Sequence, residues 1–167
     1  KKFKDLIKLI KNKNFTSSLI KNVASIFTLN ELGIKNSVIL NYDLRLNDLC
    51  LWHQQLIAES LGKNKKGITP SISTCPKDHH SLMQLYLDGP QDKFFTFFSS
   101  APNKSKKIEF VIDAQCQATK NIFKTNKIPS RQFLFKKNNE GELGSIFTFF
   151  VLETILLARL MNINPYT

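Results

Sequence analysis

W-H-Q-Q-L-I-A-E-S-L-G-K, residues 52–63, decides how the chain around it is read. Leu46, Leu49, Cys50, Leu56, Ile57 and Leu61 recur at helical spacing, so the stretch is the second half of an amphipathic helix with one face turned to a core. Asp43 stands where an N-cap would, and Gly62 where the helix would stop. Just before it, residues 37–42 (S-V-I-L-N-Y) form a short apolar run of the kind found in a strand covered on both faces. Helix, strand and helix at such short spacings are the signature of an α/β fold. On the wet side of the helix, Gln55 and Glu59 lie one turn apart, near Trp52. An amide and a carboxylate on one face outline a small polar recess where chemistry has room. The plain alternative is a solvated face carrying ordinary Gln and Glu.

Upstream, Phe3, Leu6, Ile7, Leu9 and Ile10 predict a short amphipathic helix that breaks at residues 12–14. A second helix, capped by Thr16 or Ser17, carries Leu19, Ile20, Val23, Ile26 and Phe27 and ends at Gly33. Downstream, residues 64–77 hold Gly67, Pro70 and Pro76 among hydroxyl side chains and read as a loop. Asp78 then opens a helix that has His79 and His80 in its first turn and stops at Gly89-Pro90. Residues 93–99 (K-F-F-T-F-F-S) read as a buried strand, 107–112 as a further short strand, 114–124 as a helix and 131–135 as a strand. The closing helix, 142–161, turns Leu143, Ile146, Phe147, Phe150, Val151, Ile155 and Leu156 inward. No internal repeat is visible.

The 167 residues suit one domain with a sizeable core. The chain opens on lysines rather than Met, and it reads as part of a longer protein. Its 24 Lys and Arg against 13 Asp and Glu give a net charge of +11, which raises polyanions as partners. The lysines are scattered, however, and accompany the Asn, Ile and Phe that AT-rich coding produces, so a dispersed basic surface is expected rather than a nucleic-acid site. Cys50, Cys75 and Cys116 are odd in number and never form C-x-x-C, so neither a disulfide framework nor a zinc site is expected, and a reducing, cytoplasmic compartment fits. The apolar run 145–158 is interrupted by Thr148, Glu153 and Thr154 and falls short of a membrane span.

Three blocks stand in one order: Q-L-I-A-E-S-L-G-K at 55–63, D-H-H-S-L-M-Q-L-Y-L-D-G-P at 78–90, and E-L-G-S-I-F-T-F-F-V-L-E-T-I-L-L-A-R-L-M-N-I-N-P at 142–165. As a set, from about Tyr42 onward, they resemble the second sugar isomerase domain of glucose-6-phosphate isomerases. The resemblance implies a three-layer αβα sandwich of flavodoxin-like type with a mainly parallel sheet, residues 1–167 forming a single sugar isomerase domain. It also implies a homodimer whose active sites lie between subunits, and interconversion of glucose 6-phosphate and fructose 6-phosphate with no cofactor and no metal.

By the same resemblance, Glu59 is the carboxylate that shuttles a proton between sugar carbons 1 and 2, a role suited to a base held at one face of an enediol. Gln55 faces the bound sugar phosphate. His80 assists ring opening from the neighbouring subunit, where a neutral imidazole can exchange a proton with the ring oxygen near pH 7. Two departures stand out. His79 occupies the place of the glutamine usual before the catalytic histidine, and the sequence stops before the segment that carries the family's catalytic lysine. The phosphate-holding hydroxyls and the G-G-R arginine of the first domain are not in it either, so these 167 residues alone are expected to be inactive. The competing functions are a phosphosugar-sensing module without catalysis, against which the Glu59 block argues, and a basic nucleic-acid-binding domain, which rests on net charge alone.

Overall fold

The computed structural model describes residues 7, 8, 10–103 and 105–166. Phe3, Leu6 and Leu9 of the first expected helix lie outside the described residues. In chain order the elements are α1 (Lys13–Glu31), β1 (Asn36–Asn41), a 3₁₀ turn (Leu44–Leu46), α2 (Asn47–Leu61), β2 (Thr69–Thr74), α3 (His79–Asp88), β3 (Lys93–Ser100), α4 (Lys107–Thr125), β4 (Ser130–Phe135) and α5 (Glu140–Leu160). The four strands form one parallel sheet in the order β2-β1-β3-β4.

The strands alternate between two cores. Ile39, Phe94 and Phe98 face α1, α2 and α5, while Val38, Leu40, Phe95 and Phe97 face α3 and α4. Helices therefore cover both faces, and the three-layer α/β architecture expected from the sequence is the one found. Because β1 lies between β2 and β3, the chain leaves β1 in one direction to reach β2 and later runs the other way to β4. The reversal falls between β1 and β3, which makes their carboxyl ends the switch point where open α/β sheets form a crevice.

Several elements depart from the sequence reading. α1 starts earlier than a Thr16 or Ser17 cap would place it, because Asn12 Oδ1 accepts from the backbone N–H of Asn14 (3.0 Å) and Phe15 (3.2 Å). It ends as expected, with Gly33 in the left-handed region at φ +94°. Asp43 caps the 3₁₀ turn rather than α2 itself, accepting from the Arg45 N–H at 3.0 Å. The expected loop at 64–77 contains β2. Pro70 is accommodated there because β2 is an edge strand, where a missing N–H need leave no ladder bond unmade.

The expected strand at 107–112 is instead the first part of α4: Ile108, Phe110 and Val111 are exposed, and the helix buries Cys116, Thr119 and Phe123 further on. In α5, Phe147 and Val151 lie outward rather than inward. The buried set is Ile146, Phe149, Phe150, Glu153, Thr154, Leu157 and Ala158. At 21 residues α5 is long and apolar enough to cross a membrane by length and composition, contrary to the shorter run seen in sequence. It nevertheless lies on the sheet, where the carboxylate of Glu153, 1% exposed, takes a bidentate bond from Arg131 of β4 at 2.5 and 3.0 Å.

Candidate active site

Residues 47–61 are helical because their apolar positions cluster on one side. Leu49, Cys50, His53, Ile57 and Leu61 are buried against the sheet and α5, and Trp52 packs edge-on against Phe147 with ring centroids 4.3 Å apart. Gln55 and Glu59 consequently face solvent. Gln55 Nε2 donates to Glu59 Oε1 at 2.8 Å, so the amide restrains the carboxylate one turn further along. The recess outlined by the sequence is thus a hydrogen-bonded pair on an open helix face.

The chain beyond Glu59 is tightly constrained. Asn64 and Lys65 take φ of 55° and 58°, and Gly67 takes +116° where an added Cβ would stand 2.6 Å from the Leu61 carbonyl oxygen. Lys63 Nζ donates to the Asn164 carbonyl and Lys66 Nζ to the Met161 carbonyl, each at 3.0 Å. These two bonds fasten the loop after the Glu59 helix to the segment that follows α5.

His80 occupies the first turn of α3 and is exposed. Its neighbour His79 is turned inward, with Nε2 2.7 Å from the hydroxyl of Tyr42 at the end of β1. Burial lowers the pKa of His79 and only partly yields to the opposing pull of Asp78, while burial raises that of Tyr42. Both partners are therefore neutral near pH 7, and they share one hydrogen bond whose direction is set by the imidazole tautomer. Asp78, expected to cap α3, makes no cap bond; its Oδ2 accepts instead from the Thr74 N–H at 2.7 Å, and from Ser73 Oγ at 3.3 Å.

Glu59 and His80 do not meet within one chain. α2 runs antiparallel to β1, which carries Glu59 toward the amino ends of the strands, whereas His80 follows the carboxyl end of β2. The switch point itself holds a cleft of about 390 Å³ bordered by Tyr42, Asp43, Arg45, Cys75, Ser100 and Glu109 among others, and none of Gln55, Glu59 or His80 lines it.

In this cleft the Asp43 carboxylate is bound by Arg45 Nε and Nη2 at 2.8 and 2.7 Å and by Ser100 Oγ. Burial pushes its pKa up, yet the bonds from Arg45 and Ser100 outweigh that and leave it below the usual carboxylate value. The sequence showed Asp43 only as a cap. Its position at the carboxyl end of the first strand is the signal that marks it as lining the crevice. Among the described residues, no group of three or more His, Cys, Asp or Glu could hold a metal ion.

No protein-family model matches the chain. The glucose-6-phosphate isomerase of Methanocaldococcus jannaschii is 36% identical over 145 residues, covering 78% of this chain and 36% of that protein. This chain spans about a third of the length of the curated relatives it matches. Among solved structures, a hypothetical protein of Thermus thermophilus superposes with a TM-score of 0.81 at 21% identity, over 96% of this chain and 44% of that one. A glucose-6-phosphate isomerase of Chlamydia trachomatis gives 0.67 at 16%, over 81% and 32%. The structures establish the shared fold. The sequence match bears out the resemblance to glucose-6-phosphate isomerases over the aligned part of the chain.

Proposed function

We propose that this chain, similar as it is to a part of glucose-6-phosphate isomerases, supplies the proton-shuttling carboxylate and the ring-opening histidine of an enzyme that interconverts glucose 6-phosphate and fructose 6-phosphate. Glu59 takes the proton from carbon 2 of the opened aldose and returns it to carbon 1 of the enediol, and the reverse holds for the ketose. The carbonyl oxygen and the neighbouring hydroxyl exchange roles, so neither a redox cofactor nor a metal enters the balance. Gln55 faces the sugar phosphate and restrains the base. His80 passes a proton to or from the ring oxygen.

The observation that carries this reading is the Gln55–Glu59 pair, bonded at 2.8 Å and held out to solvent on a helix whose other face is core. A solvating Glu needs no such restraint, whereas a base must be aimed. The separation of Glu59 from His80 supports a homodimer in which each site takes one residue from each subunit. In this reading residues 1–167 form a single sugar isomerase domain of a larger enzyme, cytoplasmic, with no nucleic-acid or membrane partner. Cys50, Cys75 and Cys116, free and buried, suit a reducing compartment.

The test is Glu59→Gln in the whole enzyme. The amide keeps the shape but cannot accept the proton, so kcat should fall by roughly 10²-fold to 10⁴-fold, the contribution of a positioned base, with a smaller change in KM. Exchange of solvent tritium into the sugar should fall in parallel. Survival of exchange while isomerisation is lost would remove Glu59 from the role of base.

A further inference from the structure

His79 and Tyr42 form a pair that the isomerase reading leaves without a task. Tyr42 continues β1: its N–H donates to the Phe98 carbonyl at 2.8 Å, and its ring stacks on Phe97 with centroids 6.1 Å apart and an interplanar angle of 10°. The phenol is thus fixed to the middle of the sheet. Its hydroxyl reaches His79 Nε2 at 2.7 Å, and the two rings meet edge-on with centroids 5.5 Å apart. A second bond reinforces the first, because the residue before His79, Asp78, is tied to the end of β2 through the Thr74 N–H at 2.7 Å. The first turn of α3 is therefore anchored to two adjacent strands.

Successive residues of an α-helix point about 100° apart. With His79 drawn inward onto Tyr42, His80 has to project away from the sheet, and it is exposed. We infer that His79 is a positioning residue whose bond to Tyr42 fixes the rotation of α3 and so presents His80 to the site it completes. This rests on the functional reading above, in which His80 acts on the sugar ring. His79 touches no substrate in this arrangement and acts only through its neighbour. The bond holds in either neutral tautomer, Nε2 accepting from the phenol in the Nδ1–H ring and donating to it in the Nε2–H ring.

Two measurements test the inference. In the whole enzyme, Tyr42→Phe and His79→Ala should each lower kcat by about tenfold with KM within about twofold, the effect of a misdirected group rather than a missing one. The double variant should be no worse than either single one, because both remove the same bond. His79→Gln, whose side-chain carbonyl can still accept from the phenol, should recover most of the loss. In a His80→Ala background, Tyr42→Phe should have no further effect. A loss that persists there at full size would show that Tyr42 acts through stability or another group, and would overturn the inference.

The second measurement is independent of activity. Nitrogen-15 NMR of the 167-residue chain should show the His79 ring held in a single neutral tautomer with Nε2 hydrogen-bonded, reverting to the tautomer mixture of a free histidine in Tyr42→Phe; a His79 ring with that mixture in the unsubstituted chain would also overturn it. Absence of isomerase activity from the unsubstituted whole enzyme would instead sink the functional reading, and the role of His79 with it, even where NMR shows the bond. An active enzyme indifferent to Tyr42→Phe would defeat the positioning role alone.

Discussion

His53 lies 2% exposed between α2 and α5, edge-on to Phe150 at 4.3 Å, with neither ring nitrogen hydrogen-bonded. Burial, helped by the nearby Arg131 charge, pushes its pKa down to about 3 from an unfolded value of 6.5. The folded state thus holds the ring neutral while the unfolded state binds a proton below about pH 6.5. Stability should be unaffected by this group above that pH and should fall as pH drops toward 3, by up to about 1.4 kcal/mol per pH unit. Urea melts between about pH 7 and pH 4.5 should show the loss, and His53→Leu should flatten that slope although carboxylates such as Asp43 keep a part of it. An unchanged slope in the variant would clear His53 of the effect. Arg131, half-buried, is a polar anchor of the core: besides Glu153 it reaches Thr96 Oγ1 at 3.0 Å and Asn22 Oδ1 at 3.1 Å, joining β4 to β3, α5 and α1. Arg131→Met would leave the Glu153 carboxylate buried and unpaired, costing about 3–5 kcal/mol, whereas the double variant with Glu153→Leu should recover much of it. Denaturant midpoints of the two variants check this.

At the scale of elements, strong periodicity was legible and compensated exceptions were not. β1, α2, β3, β4 and α5 stand close to where their apolar patterns put them, because each buries the face its spacing defines. β2 was hidden because Pro70 and its hydroxyl neighbours carry a loop composition; only the neighbouring β1, supplied by the tertiary fold, makes the edge position acceptable. In α4 the apolar cluster Ile108, Phe110 and Val111 read as a strand, yet those side chains are exposed and the helix is fixed later by Cys116, Thr119 and Phe123. The buried face of α5 is obscured for a related reason: its composition is apolar nearly all round, so periodicity alone does not choose between Phe147 and Phe149. Gln55 and Glu59 were visible as a pair from their spacing, but the inward turn of His79 depends on Tyr42, 37 residues away, and no local pattern discloses it. The turn between α2 and β2 yields an element-scale prediction. Gly67 needs both φ +116° and room beside the Leu61 carbonyl, so Gly67→Ala should destabilise the chain by more than the ~1 kcal/mol of an ordinary glycine replacement and lower the thermal midpoint. Equal midpoints would show that the loop relaxes freely.

For the whole molecule, the decisive geometry is that the helix face bearing Glu59 and the helix start bearing His80 sit toward opposite ends of the sheet. In the proposed reading the two residues reach one sugar across a dimer, with the His80 end of one copy against the Glu59 face of the other. Under the proposed shared-site arrangement, Glu59→Gln and His80→Ala each disable every site of their own homodimers. In a mixed dimer one site collects both substitutions, and the other keeps native Glu59 together with native His80. Subunit exchange between the two inactive enzymes should therefore restore about half of the native activity per mixed dimer. If both residues served the site of their own subunit, every site would keep one lesion and nothing would return. Differently tagged subunits, purified as verified mixed dimers and assayed with fructose 6-phosphate, separate the two arrangements. Failure to recover activity in such dimers would refute the sharing while leaving the assignment of Glu59, tested by solvent exchange, to stand or fall separately.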